Sequence, residues 1–141
     1  MDVVFIDTNC WVYASNPARP FYEVAQRHLA DFQKRNYELC SCPQIIKEYT
    51  WVLTSEGIFP YSEIKQKAEF IRDTTTFLPE TSGTIAEFDK RVEKHRVKGK
   101  SVYDCSIVAT MIYYDVFALL THNVADFSPR YEGSIRVIPL L

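Results

Sequence analysis

Asp7 directly follows the short apolar run Val3–Ile6, at a place where a carboxylate could take part in chemistry. A short, partly β-branched run of this kind is typical of a strand that is buried on both faces. An aspartate after such a strand could simply cap a following helix, but Thr8 or Asn9 could do that equally well. We therefore expect Asp7 to belong to a reaction or binding site.

Asn123 and Asp126 follow a second apolar run, which covers residues 117–121 and ends in Thr121. An ordinary loop with an Asx turn would also explain this polar stretch. In sheets with parallel strands, however, ligands bind at the carboxyl ends of the strands, where the strand order reverses. Because Asp7 and this stretch each follow a predicted strand, we expect them to meet at one edge of the sheet.

Asp104 begins a strongly apolar helical pattern, with Ile107, Val108 and Met111 at the following positions of the same helix face. A carboxylate that shares a face with apolar side chains needs a cation, a metal or a shifted pKa. The alternative is a capping box over residues 101–104, although Glu or Gln is the usual residue at its last position. Both roles are compatible, because the first turn of a helix can open onto a cleft.

Glu48 lies between Ile45 and Val52, at the border of the apolar stripe of another predicted helix. A solvated glutamate at the edge of a helix is common, so the position alone is consistent with either a surface or a site role. The neighbouring Lys47 could contact a substrate phosphate.

Acids that meet at one edge of a sheet repel one another unless a cation lies between them. Carboxylate oxygens are hard ligands, and they suit Mg²⁺ or Mn²⁺. A bound ion of this kind lowers the pKa of a coordinated water and stabilises in-line displacement at phosphorus. The three histidines, His28, His95 and His122, form no metal-binding pair at helical spacing. The acids therefore predict magnesium- or manganese-dependent phosphate chemistry.

Helices and strands must alternate along the chain to position these acids. Strands are predicted at residues 3–6, 37–42, 117–121 and 135–138. Helices are predicted at about 21–34, from Pro43 to the Gly57 region, and at about 61–74, 85–96 and 101–114. This alternation predicts an α/β sandwich with a parallel sheet.

Composition is that of one soluble globular domain, with 141 residues, 47% of them hydrophobic and 24% charged. No apolar run approaches the roughly 20 residues that span a bilayer. The acidic start of the chain does not resemble a signal peptide, so we expect a cytoplasmic protein. The four scattered cysteines are expected to be small, reduced core residues and not a zinc site.

A net charge of −2 argues mildly against a nucleic-acid binder, yet basic residues concentrate between Lys90 and Lys100. Glu93 is the single acid in that segment. A solvated, charged helix face is one explanation. Beside a site that cleaves phosphodiesters, Arg96, Lys98 and Lys100 would instead contact the backbone of a nucleic acid.

Four segments, taken in order, resemble the PIN-domain family and most closely its VapC-like toxins. They are the apolar strand with Asp7-Thr8-Asn9, Glu48-Tyr49 after Pro43, Tyr103-Asp104 before Ile107-Val108-Ala109, and Leu120-Thr121-His122-Asn123-Val124-Ala125-Asp126-Phe127. The match extends over nearly the whole chain. One departure is Tyr114-Asp115-Val116, where the family commonly has a glycine. Aspartate tolerates the left-handed conformation better than most residues, so the turn can still form.

The resemblance implies a single PIN-like domain over residues 1–141, folded as a three-layer α/β/α sandwich around a mainly parallel sheet. It also implies an Mg²⁺- or Mn²⁺-dependent endoribonuclease that leaves 5′-phosphate and 3′-hydroxyl ends. The implied catalytic and metal-holding residues are Asp7, Glu48, Asp104 and Asp126. The implied supporting residues are Thr8, Asn9, Thr121 and Asn123, and the fourth acidic position could be filled by Asp126 or shared with Asn123.

The partners implied by the resemblance are an RNA substrate, with transfer RNA as one candidate, and a second copy of the chain. A cognate antitoxin would silence the enzyme through a segment that packs in a groove and reaches the acids. Two alternatives stay open: an RNA-processing nuclease that is not a toxin, and a catalytically silent module that binds RNA or protein. An aspartyl-phosphate hydrolase is disfavoured, because its D-x-D pattern would require an acid in place of Asn9.

Overall fold

The computed structural model describes residues 2–141. Strands β1 to β5 cover Val3–Ile6, Glu38–Ser41, Thr76–Phe77, Ala118–Thr121 and Arg136–Pro139. Helices α1 to α6 cover Thr8–Tyr13, Tyr22–Lys34, Pro43–Glu56, Tyr61–Thr74, Ser82–His95 and Ser101–Tyr113. A short 3-10 helix covers Val124–Asp126.

The strands form one parallel sheet in the order β3-β2-β1-β4-β5. At its centre, Phe5 of β1 lies opposite Cys40 of β2 on one side and Leu119 of β4 on the other. The chain moves outward from β1 to β3 and then returns past β1 to β4, so the strand order reverses between β1 and β4. A crevice opens at the carboxyl ends of the strands at such a reversal.

Helices cover both faces of the sheet, which confirms the predicted sandwich. Helix α3 packs against α1 and α4. Helices α5 and α6, which lie between β3 and β4 along the chain, pack against each other. Successive strands are added toward one edge of the sheet up to β3 and toward the other edge after β3. Right-handed crossovers therefore place α1 to α4 on one face and α5 and α6 on the other.

The central strands are enclosed on both faces. Val4, Phe5, Ile6, Leu119 and Leu120 are each 0% exposed, as expected for strands in the middle of a parallel sheet. Burying one such side chain contributes about 1.5–3 kcal/mol to folding. The carboxyl ends of β1 and β4 consequently project from the most tightly packed part of the fold.

Local sequence explains where several helices begin and end. Pro43 takes the first position of α3, where a missing N–H is tolerated, and Gly57 ends that helix with a φ of 68°. Thr81 and Thr84 form a capping box, so α5 begins at Ser82 and the predicted start near residue 85 is wrong. Asp115 adopts the left-handed φ of 58° that its turn requires.

Two short elements, α1 and β3, were not predicted. The capping box proposed for residues 101–104 is wrong, because Lys100 occupies the N-cap position of α6 and makes no side-chain cap bond. All four cysteines are free and buried, which confirms the expectation of core residues. Within residues 2–141, no helix combines the length and the apolar character that a membrane span requires.

Candidate active site

Asp7 lies at the junction of β1 and α1 and is 8% exposed. Its Oδ1 accepts the backbone N–H of Thr8 at 2.8 Å, so Asp7 is the N-cap of α1. Thr8 and Asn9 lie inside α1, so the expectation that either could serve as its N-cap in place of Asp7 is wrong. The cap occupies one carboxylate oxygen and leaves Oδ2 for contacts across the crevice.

The second oxygen of Asp7 is bound from both α1 and β4. Thr121 donates its hydroxyl to Oδ2 at 2.7 Å, and Asn9 donates its side-chain amide to the same oxygen at 3.1 Å. The side-chain carbonyl of Asn9 accepts the backbone N–H of His122 at 3.0 Å. The segments that follow β1 and β4 therefore meet at the carboxyl edge of the sheet, as their positions in the sequence predicted.

The environment of Asp7 works against its charge. The pKa of Asp7 is raised to about 6. Burial is the largest cause and the charge of Glu48 adds to it, whereas the hydrogen bonds from Thr121, Thr8 and Asn9 act in the opposite direction. The desolvation of the carboxylate outweighs its three hydrogen-bond donors. Asp7 is thus held firmly in a place where a nearby cation would stabilise it.

Glu48 is half-buried on α3, and both of its carboxylate oxygens accept hydrogen bonds. Oε2 accepts the hydroxyl of Thr8 at 3.0 Å, and Oε1 accepts the side-chain amide of Gln44 at 2.6 Å. The same amide donates to the backbone carbonyl of Tyr103 at 3.0 Å. Glu48 therefore faces the acids of the site and not bulk solvent.

Asp104 is half-buried in the first turn of α6. Its pKa is raised to about 7, chiefly by burial and then by the charges of Asp126, Asp7 and Glu48, in that order. The guanidinium of Arg130 acts in the opposite direction. The structure thus brings the other three sequence-predicted acids close enough to Asp104 for their charges to raise its pKa.

The fourth corner of the site is more open to solvent. Asp126 ends the 3-10 helix and is exposed, as is Asn123. The backbone N–H of Asn123 donates to the hydroxyl oxygen of Thr121 at 3.0 Å. Among the charges that raise the pKa of Asp104, that of Asp126 is the strongest. Asp126 therefore lies near enough to Asp104 for its charge to act on that carboxyl.

The donor set of the site fits a hydrated divalent cation. Carboxylate oxygens are the ligands that Mg²⁺ and Mn²⁺ prefer, and the raised pKa values of Asp7 and Asp104 show that burial and neighbouring acids disfavour their ionised forms, which a cation would stabilise. Within residues 2–141, no three acidic, histidine or cysteine side chains already form a metal-binding group. Mg²⁺ usually keeps several waters and binds through one or two carboxylates, so a preformed cage is not required.

Several exposed basic side chains lie close in sequence to the acids. Arg96, Lys98 and Lys100 are exposed in the segment between α5 and α6, directly before the helix that carries Asp104. Lys47 is exposed on α3, next in sequence to the glutamate of the site. In the described part of the chain, no salt bridge involves these four bases. They are consequently free to bind an anionic ligand.

Gln44 and Arg130 contribute to the site and were not predicted from the sequence. Gln44 precedes Glu48 by one helical turn, and this i,i+4 spacing is the signal that could have identified it. Arg130 lies in the irregular segment after the 3-10 helix, where no periodic pattern applies. Its effect on Asp104 depends on the tertiary fold alone.

A groove with a volume of about 430 Å³ is lined by none of the four acids. Its walls come from α2 and α4, and Trp11 and Tyr49 also line it. Phe70, which lines the groove from α4, is 60% exposed. The buried indole N–H of Trp11 has no hydrogen-bond acceptor within residues 2–141. The exposed ring of Phe70 therefore gives the groove apolar surface that an occupant could cover.

Comparisons with known proteins identify a family model and several similar structures. The model of the PIN domain matches residues 4–127. No curated protein matches the chain in sequence.

Among solved structures, VapBC2 from Rickettsia felis, bound to a DNA fragment from its promoter, is similar with a TM-score of 0.70 at 15% identity, over 97% of this chain and 98% of that chain. VapBC-1 from nontypeable Haemophilus influenzae has a TM-score of 0.68 at 17% identity, over 98% of both chains. VapC20 from Mycobacterium tuberculosis, described as a sarcin-ricin loop cleaving toxin, has a TM-score of 0.67 at 16% identity, over 82% of this chain and 86% of that chain. At such identities the likeness establishes the fold.

Proposed function

The chain belongs to the PIN domain family, and from this premise we propose that it is a divalent-metal-dependent endoribonuclease, the toxin of a toxin–antitoxin pair. The observation that carries the proposal is the charge coupling among Asp7, Glu48, Asp104 and Asp126 at the carboxyl edge of the sheet. The pKa values of two of these acids, Asp7 and Asp104, are raised by burial and by neighbouring carboxylates, and such shifts in a crevice are typical of a functional site. Their position at the reversal of strand order supports the same conclusion.

The four acids would hold Mg²⁺ or Mn²⁺ directly or through water, and the ion would supply an activated water and offset charge at phosphorus. The chain's own residues orient those acids. Asp7 is fixed through both oxygens by Thr8, Asn9 and Thr121. A second hydrogen bond from Thr8 fixes Glu48. This hydrogen bonding preorganises the carboxylates before a substrate arrives.

RNA is the proposed substrate, and transfer RNA is one candidate. Arg96, Lys98 and Lys100, at the entrance to α6, would bind phosphates on one side of the scissile bond, and Lys47 would bind them on another. Single-stranded loops are the RNA segments whose nucleotides can be splayed into a crevice of this kind. The neighbour from Mycobacterium tuberculosis is described as a sarcin-ricin loop cleaving toxin.

An antitoxin protein is the proposed occupant of the groove between α2 and α4. The similar structures include VapBC assemblies and a toxin–antitoxin complex from Klebsiella pneumoniae. An amphipathic segment would cover Phe70 with its apolar face. Phe70→Arg, on an exposed side chain, is expected to abolish antitoxin binding while RNA cleavage persists. Unchanged antitoxin affinity in this variant would contradict the placement.

A second copy of the chain is the other proposed protein partner. Trp51, Ile58 and Tyr61 are 69%, 57% and 79% exposed around the junction of α3 and α4. Large apolar side chains that gather on a surface are typical of an interface. Light scattering is expected to give twice the mass of the single chain, and the mass of one chain would contradict a homodimer.

RNA cleavage by purified protein tests the proposed activity. Wild type, Asp7→Asn and the exposed control Asp73→Asn on α4 are incubated with total RNA or transfer RNA, with Mn²⁺, with Mg²⁺ or with EDTA. We expect metal-dependent cleavage by wild type and control, and a loss of at least about 100-fold in Asp7→Asn. The absence of metal-dependent cleavage by wild type, or equal cleavage by Asp7→Asn, would contradict the mechanism.

Growth of cells that express the protein tests the toxin role separately. Growth arrest that is relieved by a neighbouring small gene product is the expected result. RNA cleavage without growth arrest would instead support an RNA-processing nuclease.

A further inference from the structure

The side-chain amide of Gln44 contacts Glu48 and the residue that precedes Asp104. Its Nε2 donates to Glu48 Oε1 at 2.6 Å and to the backbone carbonyl of Tyr103 at 3.0 Å. Both partners are acceptors, so the nitrogen of the amide and not its oxygen must face them. The two N–H bonds of one amide group thus serve two different helices.

These bonds complete a continuous line of contacts between Asp7 and Asp104. Thr8, the residue after Asp7, donates its hydroxyl to Glu48 Oε2 at 3.0 Å. Tyr103, the residue before Asp104, supplies the carbonyl that Gln44 holds. Glu48 is therefore linked on one side to the first turn of α1 and on the other side to the first turn of α6.

We propose that Gln44 is a positioning residue that fixes Glu48 relative to Asp104 and thereby sets the affinity of the site for a divalent cation. This inference rests on the proposed function, because it assumes that these two carboxylates hold a metal together. Gln44 touches neither the metal nor the RNA in this account. It acts only through the two groups to which it donates.

Two physical consequences follow from the loss of this amide. A glutamate side chain has several rotatable bonds, and without the bond to Oε1 its carboxylate samples more rotamers that binding must then restrict. The tie between α3 and the first turn of α6 is also lost, so the acids on these two helices are no longer held at one separation. Residues that orient metal ligands typically change metal affinity or activity by about 10- to 100-fold when they are removed.

The test compares Gln44→Met with the control Gln66→Met. Methionine keeps the length and the helical preference of glutamine and removes both donors. Gln66 is exposed on α4, outside the acidic site. Gln44→Asn is a third variant, which keeps the donors on a shorter side chain. For each protein, calorimetry gives the Kd for Mn²⁺, thermal melting in EDTA gives the Tm, and RNA cleavage gives kcat and KM.

We expect Gln44→Met to bind Mn²⁺ about 10- to 100-fold more weakly than wild type, with a lower kcat at fixed Mn²⁺ and an unchanged KM for RNA. Gln44→Asn should lie between the two, and Gln66→Met should equal wild type. A purely structural tie would lower the Tm in EDTA and leave the Kd for Mn²⁺ unchanged, and that result would overturn the inference. Failure of wild type itself to bind Mn²⁺ would overturn the proposed function and this inference together.

Discussion

The two halves of the acidic site are built in different ways. In the anchored half, Asp7 and Glu48 have all four carboxylate oxygens in hydrogen bonds from residues of α1, α3 and β4. In the open half, Asp104 is half-buried and Asp126 is exposed, and the influences on the pKa of Asp104 are burial and charge, without a hydrogen bond among them. The fold thus prepares one half fully and leaves the other to be completed by a ligand.

This difference indicates which half should respond most to a cation. The anchored half is fixed by direct hydrogen bonds, so its geometry should depend little on the metal. In the open half, burial and the charges of the other acids disfavour the ionised form of Asp104, and a divalent ion would offset both effects.

Single substitutions should rank the residues of the open half by their effect on cleavage. We expect Asp104→Asn to lower kcat/KM by at least about 100-fold and Asp126→Asn by about 10-fold, because Asp104 is coupled to all three other acids whereas Asp126 is exposed. Asn123→Ala should have a small effect. A loss in Asn123→Ala that exceeds the loss in Asp126→Asn would assign the fourth position to Asn123.

Stability should fall with rising pH when no metal is present. Asp7 and Asp104 have folded-state pKa values of about 6 and about 7, above the ordinary value of 3.8. The folded protein therefore binds more protons than the unfolded chain between about pH 4 and 7. The stability contributed by the two protonated groups is complete below about pH 4 and is lost as pH rises through the folded-state values.

Urea unfolding in EDTA at pH 5 and pH 8 measures this effect. Asp7 alone should lower the free energy of unfolding by about 1.4 kcal/mol between these conditions, and the more solvated Asp104 should add less. Asp7→Asn should weaken the pH dependence of the free energy of unfolding. For the wild-type protein, addition of Mn²⁺ at pH 8 should restore the stability that is lost in EDTA. A free energy of unfolding that rises from pH 5 to pH 8 in EDTA would contradict this account.

Removal of one donor from the anchored half should destabilise the fold. Thr121→Val keeps the shape of the side chain but removes the hydroxyl that donates to Asp7 Oδ2. We expect a loss of about 1.5 kcal/mol or more in the free energy of unfolding, because the bond is buried and made to a charged group. Thr110→Val, whose hydroxyl bonds to a backbone carbonyl within α6, is the control and should lose less. Equal losses would show that the Asp7 bond has no special weight.

The smallest expected effects concern the basic rim, which is formed by Arg96, Lys98 and Lys100 before the helix that carries Asp104. Lys98→Ala or Lys100→Ala should weaken RNA binding several-fold, with a decrease in the salt slope of about 0.7 per lysine. Fluorescence anisotropy on the Asp7→Asn background, at several salt concentrations, measures this slope. Lys34→Ala on α2 is the control. An unchanged slope in the rim variants would exclude them from the RNA interface.

Much of the fold could be predicted from the sequence because strong local signals were present. The helix at residues 61–74 was predicted with the bounds that the structure gives, since Pro60 and an apolar period define it. Helix α1 was missed because its six residues are too few for a period to emerge. Strand β3 has two residues at the edge of the sheet, and its pairing with β2 depends on the tertiary fold.

The acids of the site were accessible to sequence reasoning, whereas their supports were only partly so. Asp7 and Asp126 follow strands, and the parallel topology then dictates that they converge. The hydroxyl of Thr121 reaches Asp7 only because β1 and β4 are neighbours, which no local pattern reveals. Gln44 was missed for the same reason, since one of its two partners lies on α6.

The most direct test of the central claim is to locate Mn²⁺ by anomalous diffraction in crystals of the wild-type protein. The account predicts a manganese peak between the anchored and open halves, within ligating or water-bridging reach of the carboxylates of Asp7 and Asp104. The same crystals should show little movement of Asp7 and Glu48 relative to a crystal grown in EDTA. Manganese that binds elsewhere, with none among the four acids, would contradict the claim that they form one metal site.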